Sequence, residues 1–256
     1  MKVFNRIRFV LLKDGSFYKY ITYAIGEIVL VILGILIALQ IDYWSKNRQD
    51  VIDISRFLNT IENNINYDQK KLEELLKKRQ TVIQNSINFL QFLEKDSTPP
   101  GEDYKEILKQ LFDNNAWSTI SFQSNRNGIE TLKSSGFLSK IDKKNILDKL
   151  NDYYYLVDKI EFEEQGLNMF ISEMEVELFK KNIIPELRES TRKLFKNTYS
   201  EYDISNIDRC LKTPSFYAVQ FRMSGSAHII DLYSKLMRLG DEITELIKYY
   251  RLANKT

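Results

Sequence analysis

The sequence predicts an all-α protein, with one N-terminal transmembrane helix followed by an antiparallel bundle of long helices. Three observations predict it. From Ile21 to Ile41 the only charge is Glu27, and about 20 helical residues cross a hydrocarbon core of about 30 Å. Beyond that stretch the apolar residues recur at three–four spacing, without period-two alternation. Four prolines and nine glycines in 256 residues leave room for long, unbroken helices.

In chain order, residues 1–16 read as a basic amphipathic arm, 17–44 as the transmembrane helix and 45–256 as the helical-bundle domain. In the arm, Val3, Phe4, Ile7, Val10 and Leu11 recur at helical spacing between Lys2, Arg6 and Arg8. That pattern suits a helix lying on an anionic membrane face. Lys2, Arg6, Arg8, Lys13 and Lys19 form the membrane-surface basic set, opposed only by Asp14. Ser16 is placed to cap the next helix.

The span is bracketed by Tyr18, Tyr20 and Tyr23 at one end and Tyr43 and Trp44 at the other, rings that favour membrane interfaces. Five basic residues precede it, while Lys46, Arg48 and Arg56 follow within about 15 residues. The positive-inside rule therefore puts the N-terminus in the cytoplasm and the domain outside it. The apolar run exceeds a signal-peptide core of about 7–15 residues, and no A-x-A-like cleavage site follows. The expected location is the bacterial inner membrane.

The segment KYITYAIGEIVLVILGILIALQIDYW, with the start MKVFNRIRFVLL and the later TLKSSGFL, resembles a bacterial family of single-span membrane proteins, a domain of unknown function. Members of that family similarly carry YAIGEI-like and GILIALQI-like stretches and a following Trp. The resemblance implies a membrane anchor plus a helical domain, and no activity.

At 100° per residue, Gly34 and Ala38 return to the face of Glu27. Intramembrane ionisable residues face protein or water more often than lipid. Small residues four apart let helices approach closely. Glu27, Gly34 and Ala38 are therefore the candidate helix–helix contact. The competing readings are a Glu that snorkels to the interface beside incidental small residues, and a proton relay or pore, for which there is one carboxylate and no partner.

In the domain, Ser45 to Glu94 contains no Gly or Pro. Ile54, Leu58, Ile61, Ile65, Leu72 and Leu75 form one stripe there, continued by Leu76, Ile83, Ile87 and Leu90, and the helix can run on from the span. Ser97 to Gly101 is a loop. Tyr104–Asp113 and Ser121–Ser134 are expected as short helices. Gly136 then stops the chain in the left-handed conformation, with Phe137 packing back. An S-x-x-D start at Ser139 and Asp142 opens a helix reaching about Lys181. Pro185 marks a break or restart, and residues 197–206 a linker. Thr213-Pro214 starts another helix. The last carries Ile229, Leu232, Leu236, Leu239, Ile243, Leu246 and Tyr250 at heptad spacing.

The chain's formal net charge is +2. With the basic excess confined to the arm, the domain has no bulk attraction for nucleic acid. Cys210 is the sole cysteine and His228 the sole histidine. They supply neither a Cys-rich metal site nor the Glu-x-x-His pairs of a di-metal bundle. No phosphate loop, G-x-S-x-G elbow or H-E-x-x-H is present. The glutamates Glu161, Glu163 and Glu164, then Glu173, Glu175 and Glu177, read as a solvated helix face. Arg126 and Arg222 are candidates for buried ion pairs or for holding an anionic ligand. Tyr153, Tyr154, Tyr155 and Trp117 read as core and interface, or as a pocket lining. The expectation is a membrane-anchored bundle acting by association, as a structural, scaffolding or sensory component. It has no evident enzymatic activity or cofactor, and partners in the lipid bilayer and in its own copies or another membrane protein. The rivals are a ligand-sensing bundle, an oligomerising membrane effector and an anchored enzyme with an unfamiliar site.

Overall fold

The computed structural model describes residues 17–94, 101–113, 119–141 and 144–254. Lys2, Arg6, Arg8 and Lys13 of the basic arm, Ser97, Trp117 and Asp142 lie outside the described residues, as does the side chain of Lys19. The described residues form eight α-helices, one 3-10 helix and no strand. The α-helices are α1 (Phe17–Leu93), α2 (Gly101–Asp113), α3 (Asn127–Ser134), α4 (Lys144–Lys180), α5 (Ile183–Phe195), α6 (Glu201–Leu211), α7 (Pro214–Ser224) and α8 (Ala227–Ala253). The chain divides into two units, Met1–Arg56 and Phe57–Thr256.

In the first unit α1 is helical from Phe17 without a break. Every side chain from Ile25 to Gln49 is exposed, aliphatic residues included: Leu30 is 70% exposed and Ile37 60%.

In the second unit the remainder of α1 presents a heptad seam. Leu58, Ile61, Ile65 and Leu72 are buried, and the same three–four alternation continues through Val82 and Phe89. Helix α4 packs against α8, α7 and α5; α5 also meets α2 and α6, and α6 meets α7. One core gathers Phe89, Tyr104, Leu108, Leu178, Leu194 and Phe216 from five of these helices.

Several boundaries differ from the sequence reading, each for a local reason. Residues 119–126 are not helical, and only Asn127–Ser134 forms α3. Their backbone donors are taken by carboxylates instead: Phe122 N–H donates to Glu164 at 2.6 Å and Asn125 N–H to Asp68 at 3.0 Å. Ser139 caps no α-helix; it sits in the 3-10 helix Phe137–Lys140, and α4 starts at Lys144. Most of the expected 197–206 linker is helix α6. Ser200 and Asp203 cap its start reciprocally, satisfying two otherwise orphaned donors. The Ser200 amide and hydroxyl, with Lys193, hold the Asp203 carboxyl down to about 2.

Other expectations match. Gly136 has φ +75°; the Phe137 ring, expected to pack back on the helix before it, lies 5.7 Å from that of Phe57 on α1. Helix α4 passes through Gly166, α5 restarts with Pro185 in its first turn, and Pro214 opens α7. In α8 the buried face is turned slightly from the expected one. Gly240 and Ile247 are buried, whereas Leu239 and Leu246 are only half-buried. The cause is a close crossing: a Cβ on Gly240 would lie 2.9 Å from Ile65 Cγ2 and 3.0 Å from Gln69 Nε2.

Candidate functional site

Two regions carry chemistry, and each belongs to one unit. The first is the face of α1 with Glu27, Gly34 and Ala38. Unbroken helical geometry keeps these three on one stripe, and all three are exposed. Among the described residues, no neighbour beyond its own turn of helix lies within 4 Å of where a Gly34 Cβ would be. Near the far end of this apolar run the Arg48 guanidinium lies 5.8 Å from the centroid of the Trp44 ring, and Lys46 pairs with Asp42 at 2.7 Å.

The second region is built on polar residues that interrupt the α1 seam. The alternation that sets Leu58, Ile61, Ile65 and Leu72 also places Asp68, Arg79 and Ser86 inward, and all three are buried. Each meets a different partner. Asp68 accepts from Ser124, from Asn125 N–H at 3.0 Å and from Tyr153 OH at 3.2 Å. Burial raises its carboxyl above the usual range, and these hydrogen bonds oppose the rise without cancelling it. Ser86 donates to Gln220 at 2.8 Å.

Arg79 is the centre of the set. Its side chain and that of Glu164 are each 1% exposed and pair at 3.0 Å. Tyr233 OH donates to Glu164 and accepts from Arg79 Nε at 3.3 Å. The second Glu164 oxygen receives Phe122 N–H. One carboxylate thus ties α1, α8 and residues 119–126 to α4. Burial raises the Tyr233 hydroxyl, which keeps it a donor.

This corrects the sequence reading of the glutamates, because Glu164 is not part of a solvated face. Glu161 is half-buried and pairs with Arg126, which also holds Asp158 at 2.6 Å. Arg222 is exposed; the buried arginine is Arg79. Tyr153 and Tyr154 are buried and Tyr155 is 70% exposed. His228 is exposed, 3.4 Å from Glu163. Asp68, Arg79 and Ser86 escaped the sequence reading because it followed apolar residues only. Their signal is heptad register, which places each of them where a core residue belongs.

An open cavity of about 550 Å³ borders this network, lined among others by Ser121, Gln123, Glu161, Glu164 and Asn168. Its inner polar groups are engaged: Asn168 donates to Ile120 O at 3.0 Å, and both glutamates are paired. Among the described residues no group of three or more His, Cys, Asp and Glu could hold a metal ion. One helix among the described residues is long and apolar enough to cross a membrane.

A model of a family of unknown function, DUF6090, matches residues 27–184, more than half of the 256. The matched stretch contains Glu27, Gly34 and Ala38 together with Asp68, Arg79 and Glu164. No curated protein and no solved structure matches the chain.

Proposed function

The chain belongs to DUF6090, a family of unknown function, and we propose that it is a single-span protein of the bacterial cytoplasmic membrane that works by association. In this reading α1 crosses the bilayer with the N-terminus inside. The remaining helices form an antiparallel bundle outside the cytoplasm. The span pairs with a second copy, or with another membrane protein, through Glu27, Gly34 and Ala38. The protein is then a scaffolding or sensory component and not an enzyme.

The observation that carries the reading is the exposure of residues 25–49. Soluble monomers rarely show contiguous apolar patches beyond a few hundred Å², and lipid is the solvent that removes the cost. Basic residues on the N-terminal side support the orientation.

The test is alkaline extraction of membranes together with thiol labelling. Cys210 is fully buried and burial pushes its thiol up, so it gives little background. A cysteine at the 74%-exposed Tyr202 reports the side of the domain. The expected result is protein that stays with the alkaline-washed membrane, with Tyr202→Cys labelled in intact cells by a reagent that does not cross the inner membrane. Release by alkali would overturn the anchor, and labelling only after that membrane is opened would overturn the orientation.

A further inference from the structure

A second cavity, of about 390 Å³, opens among α2, α4, α5 and α7, within the ordinary size range of small-molecule sites. Its walls are Leu111, Phe112, Ile184, Leu187 and Phe216. Three polar groups border it: Arg188 and Thr191 from α5, and Glu175 from α4. Among the described residues neither Arg188 nor Glu175 has an ion-pair or hydrogen-bond partner, and they do not pair with each other. Thr191 Oγ1 is buried and also has no partner. Arg188 is exposed and Glu175 half-buried, so water serves their charges. The orphan is Thr191 Oγ1, and buried polar atoms are seldom left so, because an unmade bond costs the full desolvation of the group.

We propose that this cavity binds an apolar α-amino acid. Its carboxylate would lie against Arg188, its ammonium against Glu175 and its side chain among the aliphatic and aromatic walls, with the Thr191 hydroxyl bonded to the bound molecule. The two opposite charges select this class. A fatty acid satisfies Arg188 but brings its carboxylate toward that of Glu175. An alkylamine does the reverse. Only a molecule with both charges beside an apolar body meets every wall, and like-charge juxtaposition rejects the others. The cavity lies wholly in the second unit, so the assignment does not depend on the anchor.

The experiment is calorimetric titration of the full chain in lipid nanodiscs with L-leucine and L-phenylalanine. Isocaproate and isoamylamine, which each keep one charge of leucine, are the comparison ligands. At least one amino acid is expected to bind, with each single-charge analogue weaker by about tenfold or more. Arg188→Gln and Glu175→Gln should each cost about tenfold in amino-acid affinity. Both positions border the cavity outside the buried core, so the unliganded melting temperature should hold. Thr191→Val removes the orphaned hydroxyl at nearly constant shape. It should raise the unliganded melting temperature while shrinking the rise that the ligand produces. Absence of binding by either amino acid at millimolar concentration overturns the proposal. So does isocaproate binding as tightly as leucine, or wild-type affinity in both charge variants.

Discussion

At the scale of single residues, Glu164 shows where sequence patterning stops. It sits in a run with Glu161 and Glu163, and its neighbours are exposed or half-buried. Nothing about a glutamate in an acidic stretch announces an arginine 85 positions away in the chain. What drives it inward is the partnership. Two buried charges are tolerable only when paired and hydrogen-bonded, and Glu164 receives Arg79, Tyr233 OH and Phe122 N–H. Removing one partner strands the other, so Arg79→Met should destabilise the domain by about 3–5 kcal/mol. Glu164→Gln keeps an acceptor for the Phe122 amide and loses the charge. In the Arg79→Met background it should therefore recover a large part of the loss. Chemical denaturation followed by circular dichroism on the two single variants and the double one checks this. If the double variant is as unstable as the sum of the singles, the loss comes from packing and not from a stranded charge.

Among the elements, the long helices were legible, as were the short helix ending at Asp113 and the start at Pro214; residues 119–126 and helix α6 were not. Stripes of Leu, Ile and Tyr over many turns predicted the long runs of α1, α4 and α8, and Gly136 and Pro214 were read correctly as a stop and a start. Residues 119–126 failed because side chains of other helices satisfy their backbone, which no local window contains. Helix α6 was missed although its signal, Ser200 followed by Asp203, was printed in the sequence. The buried face of α8 is displaced from its apolar stripe because Gly240, which carries no side chain for a stripe to show, is where the helix meets Ile65. Two alanine substitutions separate these meanings of glycine. In open space, as at Gly166 in α4, Gly→Ala gains helix propensity and should stabilise by up to about 1 kcal/mol. At Gly240 the same gain meets a Cβ 2.9 Å from Ile65 Cγ2, and overpacking of about 1–3 kcal/mol should win. Thermal melts of both variants check the sign. Stabilisation by Gly240→Ala would mean that the crossing relaxes freely and does not fix the face of α8.

For the whole molecule, the all-helical class and the long apolar N-terminal helix were readable from composition and period, since both reflect what surrounds the chain. The seam polar groups Asp68, Arg79 and Ser86 were not readable in the same way. Each is defined by a distant partner, and together they restrict the registers in which α1 can pack, a role best attested for polar residues in coiled-coil seams. No such partner exists for Glu27 among the described residues, and its stripe is open at Gly34. Lipid gives helices little hydrophobic reason to pair, so close packing and interhelical hydrogen bonds must supply it. A Cβ at Gly34 meets nothing within 4 Å among the described residues, so the substitution is read chiefly at the contact between helices. Gly34→Leu should hold two backbones apart and weaken self-association of the span clearly. Glu27→Gln retains a side chain able to bond across the interface, where such bonds are worth about 0.6 kcal/mol on average, and should weaken it less. Leu36 is nine residues on from Glu27, half a turn away at 100° per residue, so Leu36→Ala should change little. A reporter of span–span association in a bacterial membrane, run on the wild type and these three variants, reads the order directly. If Leu36→Ala abolishes association and Gly34→Leu does not, the interface lies on the opposite face, and Glu27 plays no part in it.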